Sequence, residues 1–144
     1  MRRMNRLALL LERHPLVFFH LVAALGALAL GIVILTRRKG NGSHRALGWA
    51  WVVLMTTAAL TAAFIRDYRL PNIGGFTPIH LFVVATLWFL PRAVWHARQG
   101  QIAAHRSEMR SLFAGACVLA GLFALLPGRF LGNLLWRDTL ALMA

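Results

Sequence analysis

The apolar positions of the chain gather into four long runs parted by short polar and basic stretches: Pro15 to Thr36, Ala46 to Ile65, Ile79 to Trp95 and Ser111 to Leu126. Runs of roughly 18 or more apolar residues are long enough to cross a ~30 Å hydrocarbon core as helices. The third and fourth runs are shorter, with Pro91 and Pro127 near their ends, and both reach span length once their amphipathic flanks are included. None alternates with the two-residue period of a membrane barrel, so helices are what satisfies the backbone inside lipid. The pattern predicts an all-α membrane protein, a four-helix transmembrane bundle formed as one domain over residues 1–144. Ahead of the first span, "MRRMNRLALLLERH" (residues 1–14) reads as a basic amphipathic segment lying on the membrane surface.

Composition changes the picture in one respect. Hydrophobic residues make up 59% of the chain, only four residues are acidic, and the formal net charge is +12. In a soluble protein that charge would point to nucleic acid; here the cations sit beside the spans, so the partner they imply is the lipid bilayer and not nucleic acid. The first run is too long for a cleaved signal, ends in Arg37-Arg38-Lys39 and lacks a small-residue cleavage pattern. Cys117 is the single cysteine, which excludes an intrachain disulfide, and without a CxxCH stretch there is no covalent haem.

Short connections make neighbouring helices antiparallel, so four spans place both termini on one side, side A, and the connections 37–45 and 96–110 on side B. The 16 Lys and Arg residues divide evenly between the two sides and do not orient the chain by number. The cations of side B are packed against span ends, which points to side B as cytoplasmic and to periplasmic termini.

The two halves of the chain repeat. His20 opens "HLVAALGALALG" and is followed 24 residues later by His44 in "GNGSHR"; His80 opens "HLFVVATLWFLP" and is followed 25 residues later by His105 in "GQIAAHR". Both halves start on the same side, so the two-helix repeats are parallel and related by an axis along the membrane normal. That axis makes the odd-numbered helices diagonal partners, as it does the even-numbered ones. His20 then faces His80 near side A, and His44 faces His105 near side B.

An imidazole inside a bilayer is costly unless satisfied, and so marks a candidate site. His20 lies roughly 8 Å down its helix at ~1.5 Å per residue. Two facing imidazoles on diagonal helices suit the two axial positions of a haem iron, with the porphyrin in the bundle core. The reading expects haem b, two groups or at least one, with His20, His80, His44 and His105 as metal ligands. Ala24, Ala27 and Gly31 form a small-residue stripe on the His20 face that leaves space for a flat ligand. Arg45 and Arg106, next to the side B histidines, are placed to pair with haem propionates. Taken singly, each histidine is equally read as an ordinary interfacial residue. His96 is the rival ligand for the second pair, but the repeat has no counterpart for it; His14 is read as a surface residue.

Other chemistries find less support. Zinc wants closely spaced Cys, His and carboxylate ligands, whereas Glu12, Asp67, Glu108 and Asp138 read as isolated and peripheral. No Ser-His-Asp set, nucleophile elbow or glycine-rich phosphate loop is present. Trp49, Trp51, Trp88 and Trp95 read as belt or packing residues. The loop "RDYRLPNIGGFTPIH" on side A is the longest between spans and a candidate docking surface.

The strings "HRALGWAWV", "FIRD", "TPIHL", "TLWFLPRAVWHAR", "HRSEM" and "LLPGRFLG" resemble the bacterial predicted membrane proteins called domain of unknown function 2306, from about His14 to Gly132. That resemblance implies a multi-pass protein of the bacterial inner (plasma) membrane. The histidine layout is also similar to that of the cytochrome b-561 family, in which four core helices supply two bis-histidine b haems. By that resemblance His20 and His80 bind one haem and His44 and His105 the other, although that family has six helices. The expected function is a membrane-embedded di-haem b-type cytochrome, a transmembrane oxidoreductase carrying electrons from a quinol or small reductant across the membrane. The alternatives are an accessory or assembly subunit of a respiratory membrane complex, with one haem or none, and a small transporter. Small-residue and tryptophan faces leave room for a membrane-protein partner or a homodimer.

Overall fold

The computed structural model describes residues 12–66, 68, 73–126 and 132. Among them the protein is helical apart from turns and one isolated antiparallel bridge between Ile73 and Phe76. Most of the expected surface segment 1–14 lies outside the described residues, as do Asp67 and Asp138.

Helix α1 spans Pro15–Thr36 and begins where the sequence reading places it, with Pro15 in the first turn, where a missing N–H costs nothing. It is apolar all round, and the only residues it buries are Ala23, Ala27 and Gly31, spaced one turn apart. Where lipid is as apolar as leucine, helices associate by close packing of small residues, and this stripe provides the contact. Trp51 on the neighbouring helix lies across it, its Nε1–H donating to the Ala27 carbonyl at 2.9 Å.

Helix α2 spans Gly42–Phe64. It starts a turn ahead of the expected Ala46 because the Asn41 side chain accepts the His44 N–H at 2.8 Å and caps the polar first turn. Gly40, at φ +91°, makes the reversal between α1 and α2.

Helix α3 spans His80–Arg98 and contains Pro91. The fourth helical segment is α4, Ile102–Leu112, continued by a π-helical stretch over Phe113–Leu119 and by α5, Ala120–Ala124. The expected connection 96–110 is therefore largely helix, and the true break is residues 99–101, where Gly100 takes φ +73°. Polar residues led the sequence reading to count 102–110 with the connection; in the structure they form the amphipathic turns of α4.

Among the described residues three helical stretches are long and apolar enough to cross a membrane: Pro15–Thr36, Gly42–Phe64 and Ile102–Ala124. Helix α3, the expected third span, has 19 residues but includes two arginines and two histidines, and is not among the three. In packing, α1 lies on α2, α2 on α3 and α3 on α4, and the π-helical stretch returns to α1. Ala27, Trp51, Met55, Leu90 and Leu112 meet in a core to which each of α1 to α4 contributes. Trp51 is thus a core residue, while Trp49, Trp88 and Trp95 are exposed.

Candidate functional site

A cavity of about 440 Å³ opens among the helices toward the end that carries the 65–79 connection. Its size falls within the ~300–1,000 Å³ of small-molecule sites. Small side chains make it: Ala24 and Ala27 from α1, Ala58, Ala59 and Ala62 from α2, and Ala116, Gly121 and Ala124 from the fourth segment. The polar groups on its wall include His20, His80, Thr77 and Thr86. The structure therefore brings His20 and His80, 60 residues apart in the chain, to one cavity.

His20 is the sixth residue of α1 and is half-buried. Its Nδ1–H donates to the Ala58 carbonyl at 2.9 Å, with Thr61 Oγ1 alongside at 3.2 Å. A carbonyl can only accept, so Nδ1 carries the proton and Nε2 keeps the lone pair that a metal ion requires. Backbone-anchored Nδ1 with a free Nε2 is the usual posture of a ligating histidine.

His80 is held differently. Its Nε2–H donates to the Ile65 carbonyl at 3.0 Å, and its Nδ1 accepts the Thr77 N–H at 3.1 Å. In that tautomer both ring nitrogens are engaged. The Thr77 carbonyl lies 3.2 Å from the same Nδ1. The turn thus offers an acceptor for the other tautomer, in which Nε2 would be released. Phe76 meets the His80 ring edge-on at 5.1 Å, and the Arg66 guanidinium lies 3.6 Å over the Phe76 ring.

At the opposite end His44 sits within electrostatic reach of His105 and Lys39. His105 donates from Nδ1 to the Ala93 carbonyl at 2.9 Å and is half-buried, while Arg45 and Arg106 are exposed in the opening turns of α2 and α4. His96 is occupied by a hydrogen bond, its Nδ1 lying 3.1 Å from Glu108 Oε2, and Arg92 binds the other oxygen of the same carboxylate.

Glu108 therefore departs from the isolated, peripheral residue expected. Its side chain is 12% exposed and it ties α3 to α4. Sequence reasoning missed it because its partners lie 12 and 16 residues away, a separation that only the tight hairpin closes. The carbonyls of Ala58, Ile65 and Ala93 were missed for another reason: every residue has one, so nothing in the sequence singles them out. Among the described residues no group of three or more His, Cys, Asp and Glu side chains converges on a metal position. Cys117 lies on the cavity wall and donates its S–H to Met55 Sδ at 3.4 Å.

A family model described as "Predicted membrane protein (DUF2306)" matches residues 17–143. No curated protein and no solved structure matches the chain.

Proposed function

Since the chain belongs to the predicted membrane protein family of domain of unknown function 2306, we propose that it is a membrane-embedded b-type cytochrome whose cavity holds haem b between His20 and His80. The observation that carries this reading is the shared cavity: two histidines from different helices on the wall of one apolar space lined by alanines and larger aliphatic side chains. When bound there, haem would supply one-electron transfer within the membrane.

The protein's own residues do the positioning. The Ala58 carbonyl fixes the His20 tautomer and turns Nε2 into the donor atom. Thr77 presents both an N–H and a carbonyl to His80 Nδ1, so with the proton on Nδ1, donated to the Thr77 carbonyl, His80 would have Nε2 available to hold the group. That tautomer would give up the hydrogen bonds to the Ile65 carbonyl and from the Thr77 N–H, each worth about 1 kcal/mol net. The alanines and Gly121 leave room for a flat apolar body.

In the full form of the reading α3 is a fourth span, the helices form a bundle of two parallel repeats, and His44 with His105 binds a second haem, its propionates meeting Arg45 and Arg106. Electrons would then pass from a quinol or small reductant across a bacterial inner membrane, with both termini periplasmic. A second reading, an accessory or assembly subunit of a respiratory complex with one haem or none, is favoured by the engagement of both His80 nitrogens.

The test is a reduced-minus-oxidised absorbance spectrum of detergent-purified protein with a haem-to-chain ratio. A low-spin spectrum with two haems supports the full reading, and one haem lost in His20→Ala supports the cavity site alone. Protein with no Soret band after expression with ample haem would end both cytochrome forms.

A further inference from the structure

The turns at 37–41 and 99–101 close the two antiparallel hairpins at the same end of the molecule, and His44 and His105 are in electrostatic reach of each other there. Two groups of cations surround them. Arg37, Arg38, Lys39 and Arg45 come from the first hairpin, and Arg98, Arg106 and Arg110 from the second, all on exposed residues. The one carboxylate at this end, Glu108, is already held by Arg92 and His96. Among the described residues the other carboxylate is Glu12, ahead of α1 at the opposite end. Among the described residues seven cations are thus left without a protein anion at this end.

Apolar surface adjoins the charge. Trp49 stands one turn after Arg45 on α2, Trp95 one turn before the end of α3 and Ile102 at the start of α4, and each is more than half exposed. A free anion would use the cations and leave these side chains unused. An amphiphile with a phosphate head and acyl chains uses both, the head among the arginines and the chains along the tryptophans.

We propose that this end of the protein is a binding surface for anionic phospholipid, the phosphodiester lying between the 37–45 and 98–110 cations. Arginine suits the role because its planar fork pairs with phosphate through two parallel hydrogen bonds. The surface does not depend on the haem reading, since none of its cations lines the cavity.

Native mass spectrometry of purified protein tests this with phosphatidylglycerol, phosphatidylcholine and inorganic phosphate as separate probes. Phosphatidylglycerol should be retained at least about tenfold more strongly than phosphatidylcholine, and its binding should weaken as salt rises. Arg37→Gln/Arg38→Gln/Arg45→Gln and Arg98→Gln/Arg106→Gln/Arg110→Gln should each cut that preference, while Arg66→Gln at the opposite end should leave it intact. Equal retention of the two lipids by the unaltered protein overturns the proposal without recourse to any variant. So does inorganic phosphate binding as tightly as the lipid, which would assign a free-anion site, or an Arg66→Gln loss matching that of the triple variants.

Discussion

Replacing Gly31 by alanine tests the contact that closes the helices into a ring. A Cβ built at Gly31 falls 2.5 and 2.6 Å from Cε2 and Cδ2 of Phe113, and 3.0 Å from Trp51 Nε1. Carbon atoms prefer roughly 3.5–4.0 Å, so the Phe113 ring must move by about 1 Å. The ring sits at the start of the π-helical stretch, packed against the core. Overpacking of this kind costs ~1–3 kcal/mol. Disturbing the Trp51 hydrogen bond to Ala27 adds about 1 kcal/mol, and the better helix propensity of alanine returns about 1 kcal/mol. The expected net loss is ~1–3 kcal/mol, read as a lower midpoint when unfolding in detergent is followed by tryptophan fluorescence. In a Phe113→Ala background the clash vanishes, and Gly31→Ala should become neutral or mildly stabilising. Residues in contact couple by ~0.5–3 kcal/mol in such a cycle. Additive single and double variants, or a Gly31→Ala protein as stable as the original, would refute the assigned approach of α1 to the π-helical stretch. Gly31 does not line the cavity, so the absorbance of any bound chromophore should be unchanged.

The other expectations concern single side chains. His20→Ala should abolish the absorbance assigned to the cavity haem, whereas His96→Ala, which touches Glu108 and not the cavity, should leave the spectrum as it was. Glu108→Gln removes the shared anion from Arg92 and His96 and should destabilise the α3–α4 hairpin by ~1–3 kcal/mol, mainly through loss of charge pairing by a nearly buried carboxylate. Because Arg92 is 45% exposed and can turn to water, the companion change Arg92→Gln should cost less, and thermal unfolding of the two variants side by side checks the order. Asn41→Ala should cost ~0.5–2 kcal/mol by uncapping α2; circular dichroism melts would expose a mistaken cap as an unchanged midpoint.

The helices were legible wherever one kind of signal was enough. Proline at the head of α1 and three cations after Thr36 bracket a wholly apolar stretch, and the expected and observed bounds coincide. Legibility faded where polarity and helix were treated as opposites. Residues 102–110 carry His105, Arg106, Glu108 and Arg110 and read as a connection, but none of these residues breaks a helix. The break needed a residue free to take positive φ, and Gly100 supplied it while the charges stayed on helical turns. The polar first turn of α2 was misplaced likewise, since its start depends on one capping hydrogen bond from Asn41.

The histidines divide along the same line. Spacing in the two halves of the chain is a property of the sequence, and His20 and His80 both line one cavity in the structure. Protonation is a property of the neighbours. Ala58 leaves His20 with an available lone pair, while Ile65 and Thr77 between them occupy both nitrogens of His80. Two residues on one cavity wall are therefore chemically unequal. The inequality has a local cause: His20 sits a turn and a half inside its helix, where the carbonyl of a neighbouring helix is the acceptor it meets, whereas His80 opens its own helix, where the Thr77 N–H of the preceding turn reaches its ring. As the hydrogen bonds stand, His20 is the ring with a nitrogen open to a ligand, and His80 would have to give up the Ile65 carbonyl before it could offer one.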